Sequence, residues 1–270
     1  MTSYLIVKTS SIGDIVQALC LLPYLAEKGT VDWAVEKKFA SLLEGNRYIR
    51  RVISVNRGKF WEFPRDENYD AIFDLQGNCK SALFTLRAKG KAKVGFSLKS
   101  VSEWPNILVT NRRFTIDYKL PIQMQYLTLV ANFFGQRPEL KIPEKTVIEG
   151  PLMICPGSNW ENKRLAIQTW ISILKKLEKK CIIVWGSEIE RGIAEQIAGN
   201  VGKMCQTLGG LSFLQWQEKM RECSGVISVD SCALHLAAAL GVPTFSLFGP
   251  SSAKIYAPIG LIHSNMQGSC

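Results

Sequence analysis

Short apolar runs alternate with amphipathic helical patterns along the whole chain. Alternation of this kind predicts parallel strands joined by crossover helices, and therefore open, doubly wound α/β sheets. In the first half, the predicted strands are 4–7, 31–36, 52–55, 71–75 and 93–96. The predicted helices there are 15–25, 39–44, 80–87 and 123–134, with an irregular polar stretch at 97–120.

The pattern restarts in the second half. Predicted strands cover 152–155, 181–185, 204–207, 226–229 and 244–248, and predicted helices cover 167–179, 189–198, 213–223 and 231–240. Between the halves, 135–151 carries three prolines and little periodicity, which is typical of a linker. We therefore expect two Rossmann-like domains, 1–140 and 152–270, joined by a linker over 141–151.

The composition excludes several classes of protein. The 270 residues are 47% hydrophobic and 21% charged, which is typical of a soluble globular protein and not of a disordered one. No uncharged apolar stretch reaches the roughly 18 residues of a membrane span. The longest, 15–26, follows Asp14 and so lacks the basic flank of a signal peptide. We expect a cytoplasmic protein.

The eight cysteines include no CxxC pair, and the chain has only two histidines, so no Cys/His zinc site is expected. Reduced core thiols are the prediction for a cytoplasmic chain.

Positive charge is concentrated in the first half of the chain. Residues 1–145 hold 22 Lys and Arg against 14 Asp and Glu, a net charge of +8, whereas 146–270 hold 11 against 9, a net +2. The basic half could face nucleic acid, an anionic membrane surface or a phosphorylated substrate. The tryptophans are scattered without the basic and aromatic interleaving of a nucleic-acid platform, which makes nucleic acid the least favoured partner.

In open parallel sheets, ligands bind beyond the carboxyl ends of the strands, so the strand-to-helix turns are the candidate sites. The turn at 8–14 carries small hydroxyl residues and ends in Asp14. Asp14 is either a helix cap or a general base. The glycines of a GxGxxG fingerprint are absent from this turn, which argues against a nicotinamide or flavin dehydrogenase.

Two turns of the second half suit an anion. The turn at 155–163 combines small polar groups with Lys163, which either binds a phosphate or is simply solvated. The turn at 228–235 places Asp230 before a predicted helix start and His235 one turn inside it. Asp230 either belongs to an anion-binding site or is a capping carboxylate, and His235 either belongs to that site or is a core histidine. A further polar turn, 74–80, follows a first-half strand.

At these turns the sequence resembles glycosyltransferase family 9, the ADP-heptose:lipopolysaccharide heptosyltransferases, and most closely its heptosyltransferase I branch. The likeness is carried by 7–14, 31–36, 70–77 and 230–250, the last reading DSCALHLAAALGVPTFSLFGP. The resemblance implies an α/β, GT-B architecture, in which two Rossmann-like domains with parallel sheets face a central cleft. It also implies an acceptor-binding first domain, a nucleotide-sugar-binding second domain, inversion at the anomeric carbon, and no metal or cofactor.

Site residues are carried over position by position. The implied catalytic residues are Asp14, as the base, and Lys163. The implied donor-binding residues are Ser158, Asn159, Lys163, Glu190, Leu211, Asp230, Ser231, Cys232 and His235. The acceptor-side residues are Ser10, Ser11, Gly13, Gln76 and Lys80.

The expected function is transfer of heptose from ADP-heptose to the Kdo-lipid A inner core of lipopolysaccharide, with a peripheral contact on the cytoplasmic face of the inner membrane. The family usually carries glycine where this chain has Cys232, and a side chain there could crowd the diphosphate. A same-family enzyme with another donor or acceptor is therefore one alternative, and a non-catalytic relative is another. The sequence ends soon after Gly260, so we expect the family's C-terminal helix to be missing or reduced.

Overall fold

The structure, a computed structural model, describes residues 2–56, 58–137, 139–142 and 149–268. The chain divides into two compact units, Met1–Lys141 and Ile142–Cys270. Most of the expected linker, 143–148, lies outside the described residues.

The first unit is a parallel sheet with helical crossovers. Its described strands are β1 (Ser3–Val7), β2 (Thr30–Glu36), β3 (Arg51–Val55), β4 (Asn68–Asp74), β5 (Lys89–Phe96) and β6 (Arg112–Phe114). Its α-helices are α1 (Ile12–Ala18), α2 (Leu22–Ala26), α3 (Cys79–Arg87) and α4 (Ile122–Phe133). Short 3₁₀ turns cover Leu19–Leu21, Lys37–Leu42, Phe60–Glu62 and Trp104–Leu108.

The second unit repeats this plan. Its described strands are β7 (Leu152–Cys155), β8 (Cys181–Trp185), β9 (Cys205–Gly209), β10 (Gly225–Val229), β11 (Thr244–Phe248) and β12 (His263–Gln267). Its α-helices are α5 (Ile167–Leu177), α6 (Glu188–Val201), α7 (Phe213–Arg221), α8 (Cys232–Ala239) and α9 (Ala253–Tyr256), with a 3₁₀ turn at Glu161–Lys163.

Both sheets have the same topology over the described residues. The strand orders are β3-β2-β1-β4-β5-β6 and β12-β11-β10-β7-β8-β9, and every pairing is parallel. Each order corresponds to the 3-2-1-4-5-6 arrangement of a Rossmann sheet. The predicted fold class, parallel α/β in both halves, is confirmed.

The central strands explain why the sequence folds this way. All residues of β1 and of β10 are buried, because helices cover both faces of a parallel sheet. Continuous apolar runs, rather than alternating ones, are therefore the signature of these strands. The fully buried Trp33 in β2 and Trp170 in α5 fill the two cores.

The structure corrects two predicted helices. The helix expected at 15–25 is divided into α1, a 3₁₀ turn and α2, where Pro23 lies in the first turn of α2. Proline is accepted there, but it would remove a hydrogen bond from a helix interior. The helix expected at 39–44 is the 3₁₀ turn Lys37–Leu42, a segment too short to sustain an α-helix by itself.

Two strands were not predicted, and both are edge strands. β6 lies in the stretch expected to be irregular and begins with two exposed arginines. β12 reads HSNMQ and is mostly exposed. Edge strands are commonly short and polar, which removes the apolar signature that identifies inner strands.

The expectation of reduced thiols is wrong for one pair of cysteines. Cys181 and Cys205 are register partners on β8 and β9, with Cα atoms 4.8 Å apart, and a disulfide joins them. Because the two residues are 24 positions apart, sequence spacing gave no sign of the pairing.

Candidate functional site

The sequence-predicted site residues lie mainly around the topological switch point of each sheet. In the first unit, strand order reverses between β1 and β4, and the turns at 8–14 and 75–80 follow these two strands. In the second unit it reverses between β7 and β10, and the turns at 156–163 and 230–235 follow them. Switch points are where open α/β sheets bind ligands.

Asp14 is the third residue of α1, not its N-cap. Ser11 caps the helix, and its backbone N–H and hydroxyl both donate to Asp14 Oδ2, at 3.2 and 3.0 Å. The Asp14 side chain remains 34% exposed, so the carboxylate is oriented by its helix and still reachable from solvent.

Lys8 lies next to the Asp14 carboxylate. Its ammonium lies 3.6 Å from Asp14 Oδ2 and 5.3 Å from the centroid of the Tyr126 ring, and the residue is buried. Burial lowers the pKa of Lys8, an effect that the charges of Asp14 and Asp74 oppose. A buried cation needs a partner, and the carboxylates at this switch point supply the negative charge.

The predicted acceptor-side residues fall into two groups, those hydrogen-bonded within the switch-point turns and those that are not. Gln76 clamps the two turns of the switch point together, because its side-chain oxygen accepts hydrogen bonds from Thr9 N–H at 2.8 Å and from Ser10 N–H at 3.2 Å. Gly13, in the first turn of α1, and the exposed Lys80, in the first turn of α3, are not hydrogen-bonded to these side chains among the described residues. Gln76 therefore joins the turns after β1 and β4, whereas Lys80 is exposed at the start of α3.

In the second unit, Lys163 and Asp230 form an ion pair. Lys163 Nζ donates to Asp230 Oδ2 at 2.6 Å, and the Ser251 hydroxyl donates to the same oxygen at 2.5 Å. His235 Nε2 lies 3.6 Å from Asp230 Oδ1. Burial opposes ionisation of Asp230, but the contacts with His235, Lys163 and Ser251 hold its pKa well below the usual range. Asp230 is therefore a buried carboxylate that stays charged.

The ion pair lies beside the start of α8. Ser231 is the N-cap and its hydroxyl lies 3.0 Å from that of Ser228, while Cys232 is the first helical residue. The first N–H groups of a helix lack partners within it and attract an anion. Burial, with the Glu190 charge as a second cause, raises the pKa of Cys232 to about 11, so its thiol adds no negative charge there.

Glu190 reaches this site from α6. Its carboxylate accepts hydrogen bonds from Gly186 N–H at 2.8 Å and Ser187 N–H at 3.2 Å. Glu190 is the third residue of α6 and forms a capping box with the N-cap residue Ser187. It lies against Gly157, so a Cβ at that position would require the Glu190 side chain to move. The contact brings Glu190 to the turn that holds Lys163.

Three other predicted donor residues differ in placement. Ser158 is buried and its hydroxyl accepts from Trp160 N–H at 3.3 Å, whereas Asn159 is exposed on the same turn. Leu211 lies between β9 and α7, and no hydrogen bond among the described residues ties it to the Lys163 and Asp230 pair. Leu211 follows Gly210, whose φ of +71° suits only glycine without strain.

Sequence reasoning missed Lys8 and Ser251. Lys8 was included only as part of a turn, and its burial beside Asp14 depends on tertiary packing. Ser251 follows β11, and the rule that functional groups follow parallel strands could have identified it.

Within the described parts of the chain, no helix is long and apolar enough to cross a membrane. The same residues contain no group of three or more His, Cys, Asp and Glu side chains placed to hold a metal ion.

Chemically, the second unit offers a cation, a helix start and a fixed carboxylate, a combination suited to a diphosphate attached to a polyhydroxyl group. The first unit offers a partly exposed carboxylate held beside a buried cation, which suits proton transfer from a hydroxyl.

Comparisons with known proteins agree with this chemistry. The chain matches the family model of glycosyltransferase family 9 (heptosyltransferase) over residues 57–267. It is 27% identical to lipopolysaccharide heptosyltransferase 1 of Pseudomonas aeruginosa, over 92% of this chain and 79% of that protein. It is 25% identical to the protein of the same name from Escherichia coli K12, over 95% and 90% of the two chains.

Solved structures give the same result for the fold. E. coli heptosyltransferase WaaC with ADP matches with a TM-score of 0.88 at 24% identity, covering 98% of this chain and 93% of that one. WaaC with ADP-2-deoxy-2-fluoro heptose matches with a TM-score of 0.82 and the same coverage. The α/β fold class expected from the resemblance is thereby confirmed. With more than half of its length matched by the family model, the chain is a glycosyltransferase and belongs to glycosyltransferase family 9, the heptosyltransferases.

Proposed function

We propose that this enzyme transfers a heptosyl residue from ADP-heptose to the Kdo-lipid A inner core of lipopolysaccharide. The observation that carries the proposal is the Lys163 and Asp230 pair beside the start of α8, at the switch point of the second sheet. Proteins similar to this chain are named lipopolysaccharide heptosyltransferases, and WaaC structures contain ADP and a fluorinated ADP-heptose.

The second unit, in this proposal, binds the donor. The diphosphate lies against the first N–H groups of α8 and the ammonium of Lys163, with Ser158 and Asn159 on the neighbouring turn. Asp230, charged and positioned by three partners, accepts hydrogen bonds from sugar hydroxyls. Glu190 accepts from the ribose hydroxyls, Leu211 borders the adenine, and His235 and Ser251 hold Asp230 in place.

The chemical step needs a base and a stabilised leaving group. The acceptor hydroxyl oxygen attacks the anomeric carbon, the bond from that carbon to the diphosphate breaks, and ADP departs with the bonding electrons. Asp14 takes the proton of the hydroxyl. Attack opposite the leaving group inverts the anomeric carbon.

Negative charge grows on the diphosphate as the bond breaks. Lys163 and the helix-start N–H groups offset that charge and supply the role a metal ion would otherwise fill. We therefore propose a metal-independent reaction without a cofactor.

The first unit, in the same proposal, binds the acceptor. Its net charge of +8 over residues 1–145 complements the carboxylates and phosphates of the inner core. Ser10, Ser11 and Gly13 adjoin Asp14 in the chain, and Lys80 lies in the first turn of α3, after the neighbouring strand β4. Since the acceptor is anchored in a bilayer, the enzyme works at the cytoplasmic face of the inner membrane.

A second candidate is a same-family transferase with a different nucleotide-sugar. Cys232 favours it, because a side chain at the first residue of α8 narrows the space available to a diphosphate. A thermal-shift screen of ADP-, UDP-, GDP- and CMP-sugars separates the ADP-heptose enzyme from a transferase with another donor. A ligand at a hundredfold excess over its Kd adds about 2.7 kcal/mol of stability, so preference for the ADP series supports ADP-heptose and preference for another series contradicts it.

A further inference from the structure

Helix α3 carries apolar side chains on its outward face as well as its inward one. Ala82 and Phe84 are buried in the core, whereas Leu83 and Leu86, three positions apart, share the solvent side of the helix. Helices at the surface of a globular domain normally keep that side polar.

Two 3₁₀ turns that pack against α3 extend this surface. Phe60–Glu62 contributes Trp61, and Trp104–Leu108 contributes its two terminal residues. The outer patch is the set Trp61, Leu83, Leu86, Trp104 and Leu108, whose members are between 40% and 74% exposed. Concentrated exposure of large apolar side chains marks an interaction surface.

The outer patch is held in place rather than loosely exposed. The Asn106 amide donates to Asp74 Oδ2 at 2.7 Å and to the Asn78 carbonyl at 3.1 Å. The Glu103 carboxylate accepts from Cys79 N–H at 2.8 Å, at the start of α3. These bonds fix the segment that presents Trp104 and Leu108.

Cations border the patch. Lys93 Nζ donates to the Leu86 carbonyl at 2.9 Å, and the pKa of Lys93 is lowered by burial and, second, by the charge of Arg65. Lys80 and Arg87 lie in the first and last turns of α3. The acids of these segments are already engaged: Glu62 pairs with Lys59 at 2.9 Å, and Glu103 caps α3.

We propose that the outer patch docks the enzyme on an anionic lipid bilayer. Tryptophan prefers the water–lipid interface, leucine enters the acyl region, and lysine and arginine attract anionic headgroups while their stems lie along apolar surface. A protein partner would not require a border of cations around exposed tryptophans, so the charge pattern favours a bilayer. The proposal rests on the proposed function only in that a membrane-anchored acceptor gives such docking a purpose.

Vesicle binding tests the proposal directly. The purified protein is sedimented with vesicles of phosphatidylcholine containing phosphatidylglycerol, and with vesicles of pure phosphatidylcholine, at low and high salt. The expected result is binding to the anionic vesicles that falls at least about tenfold on neutral vesicles or in high salt. Equal binding to both vesicles, or to neither, overturns the proposal.

Matched variants locate the surface. The double variant L83S/L86S is compared with Leu214→Ser, because Leu86 and Leu214 are both 57% exposed and Leu214 lies on α7 of the second unit. We expect the double variant to lower anionic-vesicle binding at least about tenfold and L214S to leave it unchanged. Loss in L214S alone, or retained binding in the L83S/L86S protein, places the contact elsewhere and contradicts the assignment.

A spectroscopic readout is available from the native thiol of Cys79, which is exposed on the same face of α3 as Leu83. A polarity-sensitive maleimide at Cys79 should shift its emission to the blue on anionic vesicles, and an unchanged spectrum contradicts docking by this face. Titration of the variants with ADP separates this proposal from the enzymatic one. Vesicle binding without ADP binding leaves docking intact and counts against the heptosyltransferase reaction, and the converse overturns docking alone.

Discussion

Lys163 Nζ and Asp230 Oδ2 are 2.6 Å apart, although 67 positions separate the two residues in sequence. They meet because β7 and β10 are adjacent parallel strands and each is followed by the turn that holds one partner. The pair joins the two turns on which the proposed donor site depends.

Lys163→Met should weaken ADP binding at least about tenfold, because it removes the ammonium that the proposed donor site offers to the diphosphate beside Asp230. It should also lower the free energy of unfolding by about 1–3 kcal/mol, since Asp230 is left buried and under-compensated. Calorimetric titration with ADP and denaturant unfolding measure the two effects. Lys176→Met, on an exposed position of α5, is the control. Unchanged ADP affinity in K163M would place the diphosphate elsewhere.

Asp14→Asn should reduce turnover by about 10²–10⁴, or about 3–5 kcal/mol of barrier, while ADP binding is retained. Asparagine keeps an oxygen for the Ser11 hydrogen bonds but cannot take a proton. Initial rates of ADP release measure the effect, with Asp117→Asn as a control at an exposed turn of the same unit. Turnover near that of the parent protein would remove Asp14 from the base role.

Lys8→Met should lower turnover at neutral pH by about tenfold while ADP affinity is retained, because it removes the buried ammonium that lies 3.6 Å from Asp14 Oδ2 and positions the proposed base. Initial rates of ADP release and calorimetric titration with ADP measure the two effects. Lys28→Met is the control in the same unit, since the Lys28 ammonium lies over the Tyr24 ring, 4.6 Å from the ring centroid. Turnover in K8M equal to that in K28M would remove Lys8 from this role.

His263 should make stability depend on pH. Burial lowers its pKa to about 4, from an unfolded value of about 6.5. The folded state therefore disfavours the protonated ring. This stability is fully present above pH 6.5 and is lost as pH falls toward 4, by about 2–3 kcal/mol.

The contribution is measured by denaturant unfolding of the parent and of His263→Asn, which keeps an oxygen to accept from the Thr244 hydroxyl that lies 3.0 Å from His263 Nδ1. The difference between the two curves isolates this group from the carboxylates. Parallel curves between pH 6.5 and 4 would show that His263 titrates normally.

The inner strands of both sheets could be predicted because burial on two faces demands continuous apolar runs, as in β1 and β10. The edge strands β6 and β12 are less buried and therefore need fewer apolar residues. Their arginine, asparagine and glutamine residues resemble those of loops. The disulfide between Cys181 and Cys205 depends on the register of β8 and β9, which no local pattern specifies.

The candidate site could be anticipated where chemistry follows strand ends. Asp14, Lys163 and Asp230 are of that kind. Their partners could not be predicted from local sequence. Lys8 contacts Asp14 only because tertiary packing buries it there. Glu190 contacts Gly157 only because α6 packs against the turn after β7. The hydrogen bonds from Thr9 and Ser10 N–H to the Gln76 side-chain oxygen likewise depend on the packing of β1 beside β4, and the acceptor-side role of Gln76 stays a prediction.

Heptosyl transfer from ADP-heptose is measured by a product assay. The purified protein is incubated with ADP-heptose and a Kdo acceptor without acyl chains, and products are followed by mass spectrometry alongside ADP release. We expect an acceptor heavier by one heptosyl unit, formed in step with ADP in the parent protein and suppressed about 10²–10⁴-fold in D14N. Release of free heptose without a heavier acceptor, or a heavier acceptor formed equally well by D14N, would contradict it.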